Sequence, residues 1–451
     1  MTARATCWAS ANLSPELCTI KRARGAARHR RAAPAPDGPF GSGRIEPDRR
    51  AASDLGGCLS SCTDHGRCPG RSRLGGPNRA HRHRADARHP PSRNSSTADH
   101  GWRERDPRRP HEAQDPYADG MLDIPLSALE VAMVQTGTRA VETLRDTAAF
   151  AQGVERLGYH RLWYAEHHHS PAIGAFPPVV LTAHAAASTA RIRLGSGGVL
   201  APNHAPITVA EQYGTLAALH PDRIDVGIGR GPGTFDEATA RALRRGAGPA
   251  TDAEYQQDVA AILSFLVDEV ALGPLPEPWL LASSPQGAAL AAALGLPVAI
   301  AHHIRPDNTQ AALESYRAKF APSRWCEQPR VLLCVETVCA ETDEEAAWRA
   351  RPMEVVKAGL LKGLSQTPFP TPAQAATHPF TAEERQALAG FRAQQAVGAP
   401  GAVVARLAQL AAETGADELM LTTPVHDLRD RLDSYELIRN HSGTPATTTV
   451  P

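Results

Sequence analysis

From residue 121 onward, apolar runs of strand length alternate with longer segments whose apolar residues fall at helical intervals. "ALEVAMV" (128–134) is the first run, and "ETLRDTAAFAQGVERLG" (142–158), stopped by a glycine, predicts the first helix. The alternation continues through "RLWYAEHH" (161–168) and "PPVVLTAHAAASTA" (177–190), then "RIRLGSGGVL" (191–200) and "PITVAEQYGTLAALH" (206–220). "RIDVGIGRG" (223–231) precedes "DAEYQQDVAAILSFL" (252–266), "PWLLASS" (278–284) precedes "GAALAAALG" (287–295), and "PVAIAHH" (297–303) precedes "TQAALESYRAKF" (309–320). "VLLCVETVCA" (331–340) is a seventh strand. "GAVVARLAQLAAETG" (401–415) feeds an eighth, "ELMLTT" (418–423), and "DLRDRLDSYELIRN" (427–440) closes the pattern.

Apolar strands separated by amphipathic helices indicate a parallel sheet covered on both faces. Eight such units predict an α/β fold, a (β/α)8 TIM barrel spanning residues 121–440. The alternative, an open doubly wound sheet, requires a glycine-rich fingerprint after its first strand, and here that strand runs into "QTGTRA". In a barrel the functional residues lie at the C-terminal strand ends. "EHHH", "GSGGVLAPNHAP", "GIGRGPGTF", "ASSPQGA" and "AHH" all occupy such ends. Between the seventh strand and the helix feeding the eighth, residues 341–400 hold a short helix, "DEEAAWRA", and a proline-rich stretch; an insertion there predicts a lid over the mouth.

Composition changes the picture for the first 120 residues. They carry roughly 22 Lys and Arg against 13 Asp and Glu, so the net charge of +0 for the whole chain describes neither part. Runs such as "KRARGAARHRRAAPAP" show no period and few apolar residues, which predicts a disordered extension. Lysine is nearly absent, which argues against a nucleic-acid-binding tail, and Cys58, Cys62 and Cys68 lack the paired spacing of a zinc site. The segment reads as translation of GC-rich DNA ahead of a natural start at Met121, with a genuine disordered extension as the alternative. Residues 441–451 read as a disordered tail. No run of about 18 apolar residues exists to cross a membrane. After Met121 the cysteines are Cys326, Cys334 and Cys339; two of them sit in an apolar strand, which suggests a reduced, cytoplasmic setting.

Three consecutive histidines, His167, His168 and His169, invite a metal reading. Consecutive residues on a strand point to alternate sides, however, so at most two converge, and no metal site is expected. A neutral imidazole that exchanges a proton near neutrality is the functional reading, and a packed strand-end histidine the structural one. "NHAP" (203–206) suits a turn. "SSPQGA" (283–288) reads as an N-cap at Ser284 with proline following, and equally as a helix N-terminus able to take a phosphate. Arg230, in a glycine-rich loop, has the planar fork that pairs with phosphate.

The order "AEHH", "GSGGV", "NHAP", "EQYGTLAALHPDRIDVGIGRG", "LLASS" and "TGADELMLTT" resembles the bacterial luciferase-like flavin-dependent monooxygenases, in their single-chain branch, over about residues 121–440. The resemblance implies a (β/α)8 barrel that uses reduced FMN and dioxygen to oxidise a small organic substrate, the reduced flavin coming from a separate NAD(P)H-flavin reductase. It implies His167 as the histidine assisting oxygen chemistry, with Glu166 orienting it. Asn203 and His204 would lie beside the flavin ring, and Ser283, Ser284 and Gly287 at its phosphate, with Arg230 in support. His168, His302 and His303 are expected to line the substrate pocket, and Glu211 and Gln212 to tie loops together beneath the flavin. No nucleic acid or membrane partner is expected, and a homodimer is left open. The alternatives are deazaflavin-dependent hydride transfer on the same barrel, or flavin binding without turnover.

Overall fold

The computed structural model describes residues 122–174, 177–268, 272–362 and 368–443. The readings of residues 1–120 as an extension, of Met121 as a start, and of all but three residues of the tail lie outside the described residues.

Eight parallel strands close on themselves. They are β1 (Leu126–Glu130), β2 (Arg161–Tyr164), β3 (Arg193–Ser196), β5 (Ile224–Gly229), β6 (Glu277–Ala282), β7 (Val298–Ile300), β8 (Val331–Cys339) and β10 (Glu418–Thr422). β10 pairs with β1 on one side, Leu126 opposite Leu419, and with β8 on the other, Glu418 opposite Leu332, so the ring has no open edge. The two-residue β4 (Val199–Leu200) pairs with the end of β5. Helices α1 (Ala140–Arg156), α2 (Pro178–Ser188), α3 (Pro206–Leu219), α5 (Asp252–Asp268), α6 (Pro285–Ala293), α7 (Thr309–Lys319), α11 (Pro400–Thr414) and α12 (Leu428–His441) cover the outside, while the short α4 (Glu237–Leu243) buries no residue. The fold is the expected (β/α)8 barrel.

Besides α4 and β4, which the sequence pattern does not show, two further differences bear on the rim. The first strand ends at Glu130, not at residue 134. Beyond it, Met133 bridges to Ile173 and Gln135 to Phe369, so the apolar run leaves the ring and stitches rim loops together. The helix expected at "DEEAAWRA" is α8, Asp343–Leu361, with 19 residues and Pro352 inside it. Its apolar residues mark no single face and the proline suggests a break, so the pattern under-reads it. The insertion continues with α9 (Pro372–Ala376) and α10 (Ala382–Arg392). Each starts at a threonine, Thr371 and Thr381, that accepts from the third helical N–H in a capping box. It returns as β9 (Ala396–Gly398), parallel to the outer end of β8. The buried Phe369 exchanges backbone hydrogen bonds of 2.8 Å with Val134 and Thr136. The insertion is thereby anchored to the barrel at the ends of both β1 and β8.

The barrel interior is layered. At the N-terminal end Arg161 is 1 % exposed; its guanidinium donates to Glu418 at 2.7 and 3.0 Å and to Asp225 at 2.7 Å. Asp225 also accepts from the Trp163 indole at 2.9 Å and pairs with Arg193. Above this charged layer Trp163 and Trp279 meet edge to face, with Leu332, Cys334 and Met420 packed beside them. Glu277 of β6 pairs with Arg193 at 2.8 Å, so ion pairs between strand starts join five strands at the floor.

Asp225 anchors two arginines. Burial alone would raise its carboxyl pKa, but the charges of Arg161 and Arg193 and the Trp163 hydrogen bond hold it below the usual aspartate value. Asp225→Asn is expected to cost about 3–5 kcal/mol, read as a lower urea midpoint, because it leaves buried cations uncompensated. In the parent chain the stabilisation should be complete above about pH 4, where the unfolded carboxyl is ionised, and be lost as pH falls through the depressed folded value. The Asp225→Asn variant should lack that acid-dependent loss.

Candidate active site

The extended backbone of the second barrel strand separates the roles of the histidines. Arg161, Trp163 and Ala165 face the barrel interior. The strand ends at Tyr164; continued past it, the same alternation assigns His167 to the inner side at the mouth and Glu166 to the outer layer. Glu166 is buried, and one of its oxygens, Oε1, accepts from His168 Nε2 at 2.6 Å and from His204 Nε2 at 2.8 Å. The other, Oε2, accepts the Leu200 N–H at 2.8 Å. Burial by itself would raise this carboxyl pKa; the hydrogen bonds from the two imidazoles and Leu200, with the charge of His204, outweigh it and bring the value below the usual glutamate range. An ionised carboxylate only accepts, so both imidazoles present Nε2–H to it.

The carboxylate expected to orient His167 therefore holds His168 and His204. His168, read as lining the substrate pocket, and His204, read as lying beside a flavin ring, are both committed to it. The backbone N–H of His168 donates to Gly233 O at 2.7 Å, and Asn203 donates to Pro232 O at 3.3 Å, so three rim loops meet around one buried charge. His169 turns outward at φ 50°, and its Nδ1 lies 2.9 Å from the Thr239 hydroxyl.

His167 remains. Its Nδ1 is sealed from solvent and has no hydrogen-bond partner among the described residues. Burial, opposed by Glu166 and aided by His168, lowers its pKa to about 4, so the ring is neutral at physiological pH. Where the third strand ends, the barrel wall is glycine. A Cβ on Gly198 would lie 2.7 Å from Gly227 O, so packing against the neighbouring strand's backbone requires glycine there, and one on Gly197 would push Leu129 Cδ1 at 2.6 Å.

The remaining expected residues are distributed as follows. Ser284 is the N-cap of α6 and accepts the Gly287 N–H at 3.2 Å, while Ser283 O accepts from Asn308 at 2.9 Å. Arg230, read as a phosphate clamp, is already engaged: it pairs with Asp252, donates to Ala250 O at 2.9 Å and lies over the Tyr255 ring. Its fork closes on the start of α5 rather than on the mouth. Glu211 and Gln212 are exposed on α3, and Tyr213 is the residue that turns into the core, so neither ties loops beneath a ligand. His302 is buried, with Nδ1 2.9 Å from the Thr309 hydroxyl. His303 donates its backbone N–H to Cys334 O at 3.0 Å, and its Nδ1, like Nε2 of His302 beside it, is sealed from solvent without a hydrogen-bond partner among the described residues. Glu336, Lys357 and Gln395 also reach this rim and were not singled out in the sequence. The available signal was one glutamate in the all-buried strand "VLLCVETVC". A separate cleft of about 700 Å³ between α1 and α12, lined by Gly153, Leu432 and Glu436 among others, shares no residue with the rim.

Two outcomes test this geometry. Glu166→Ala should raise amide exchange at Leu200 and His168 at least tenfold, since loss of a charge-assisted hydrogen bond worth about 1.5–3 kcal/mol exceeds the roughly 1.4 kcal/mol of one decade. Unchanged exchange would show that the loops hold without it. His167 and His303 both have folded pKa values near 4, below the unfolded value of about 6.5. Between these limits the unfolded chain binds more protons, so stability should be full above about pH 6.5 and fall toward pH 4. Replacing either histidine by asparagine should shallow that slope in urea titrations.

Residues 126–418 match the family model of the luciferase-like monooxygenases. A luciferase-like monooxygenase of Escherichia coli (strain K12) is 36% identical over 324 residues, covering 70% of this chain and 96% of its own. The crystal structure of apo-MsnO8 superposes with a TM-score of 0.66 at 35% identity, over 70% of this chain and 98% of the other. At 18% identity and a TM-score of 0.53, over 71% and 98%, the fold is shared with the oxygenating constituent of 3,6-diketocamphane monooxygenase from Pseudomonas putida, solved in complex with FMN. With the closed barrel, the histidine-bearing strand end and these likenesses together, the chain belongs to the luciferase-like monooxygenase family.

Proposed function

We propose that the mouth of this barrel binds reduced FMN and that the chain is the oxygenating component of a monooxygenase acting on a small organic substrate. The observation that carries this reading is His167: a neutral imidazole at the inner rim whose sealed Nδ1 has no partner. A buried nitrogen left unsatisfied costs about 1–3 kcal/mol, which a ligand group supplying the missing hydrogen bond offsets. The residues thus fit a flavin at His167, and the first turn of α6 with Ser283 and Ser284 is the place for its phosphate. Arg230 is left out of that role, because Asp252 and Ala250 occupy it.

The two electrons and the site of oxygen activation would come from the reduced flavin. The work of this chain is to exclude water from the mouth and to hold one neutral imidazole that accepts and returns a proton at His167. Glu166 acts at one remove: by fixing His168 and His204 it fixes the loops on either side of His167. Among the described residues there is one barrel and no second nucleotide-binding domain, which supports a separate NAD(P)H-dependent reductase as the source of reduced flavin.

The test is titration of the full chain with oxidised and reduced FMN, and with a reduced deazaflavin in parallel, followed by fluorescence and oxygen uptake. One FMN per chain is expected to bind saturably, with oxygen uptake on the reduced form differing from that of free flavin. His167→Asn should retain binding within about tenfold and slow turnover by about 10²–10⁴, the range of one proton-transfer group. Saturable binding of the deazaflavin alone, or flavin reoxidation no different from that in buffer, would overturn the assignment.

A further inference from the structure

The other side of the mouth carries a second polar set. Glu336 continues the inward-facing series of Leu332 and Cys334 on β8, with Thr422 opposite it on β10. Lys357, on α8 of the insertion, spans both its oxygens at 2.9 and 2.8 Å, and Gln395 donates to one of them. Both charged residues are buried, Glu336 at 4 % and Lys357 at 7 % exposure. His303 lies beside this pair, its backbone N–H bonded to Cys334 O; burial chiefly, opposed by a hydrogen bond to the Cys334 backbone and aided by the Lys357 charge and His302, keeps its ring neutral. Its Nδ1 is unpartnered. Beneath lies the apolar layer of Met420 and Trp279.

The charges of this wall cancel. A ligand bearing an ionised group would surrender its hydration here and meet no net counter-charge, a penalty of several kcal/mol per ion. A neutral carbonyl or hydroxyl would satisfy the orphaned histidine nitrogen and keep its apolar body on the floor. We propose that His303 and the Lys357–Glu336 pair form the substrate-recognising wall, and that it selects an uncharged, largely apolar molecule with one carbonyl or hydroxyl group. The proposal rests on the preceding reading only in naming this molecule as the substrate of the monooxygenase. Because Lys357 comes from the insertion, the insertion supplies half of the charge balance that sets the selection.

The experiment uses four probes on one carbon skeleton, cyclohexanone, cyclohexanol, cyclohexanecarboxylate and cyclohexylammonium, with binding to the full chain measured by ligand-observed NMR with and without FMN. The two neutral probes should bind at least tenfold more tightly than the two ions. His303→Phe should remove that advantage. Glu336→Gln, which leaves Lys357 uncompensated, should shift preference at least tenfold toward the carboxylate, and Lys357→Met should shift it toward the ammonium ion. The opposite shifts of two variants lacking the same ion pair cannot arise from destabilisation alone, and circular dichroism checks that each is folded. Equal binding of neutral and charged probes, binding of none of them, or selectivity unchanged in both charge variants overturns the proposal. Flavin titration of the same samples separates the two readings: selectivity without flavin binding sinks the cofactor assignment and keeps the wall, and flavin binding without selectivity does the reverse.

Discussion

Closure of the strand ring is the constraint from which the remaining geometry follows. β10 must pair with β1 and β8 at once, and that double pairing turns a sheet into a cylinder with two unlike ends. Parallel strands send all their starts to one end and all their finishes to the other. The starts carry Arg161, Arg193, Asp225, Glu277 and Glu418, which neutralise one another in a buried network. The finishes carry Glu166, His167, His303 and Glu336. Residues more than 160 positions apart in the chain become co-residents of one rim because no other arrangement of a closed parallel ring is available to them.

At that rim a single carboxylate orders the loops. Glu166 accepts from an imidazole on its own loop, from an imidazole across the third loop, and from a backbone amide. One buried anion with three donors is satisfied; the same anion with none would be too costly to bury. Such a group contributes rigidity more than stability. It leaves His167, the neighbour it does not bind, held between two fixed residues and free to serve something else.

Much of this was legible in the sequence. Strand and helix periods differ sharply from Met121 on, and eight repeats of one alternation point to a barrel without reference to any relative. The polar residues at the strand ends announced which rim matters. What the one-dimensional pattern could not supply was pairing. Nothing in "EHHH" says that Glu166 bonds the second histidine and not the first, because that depends on strand alternation meeting His204 from another loop. Arg230 looked free because Asp252 lies on the following helix and the fold brings it back. Lys357 was invisible for a similar reason: it sits in a segment with little periodicity, and only the return of β9 beside β8 carries its helix to the mouth. Local chemistry was readable, whereas partners set by tertiary return were not.

The sealed floor has a kinetic consequence. Trp163, Trp279 and Arg161 leave no passage through the cylinder, each being at most 1 % exposed. A molecule bound at the mouth would therefore have no exit through the floor. Were two molecules to stack over that floor, they could not exchange places, so the deeper one would have to arrive first and depart last.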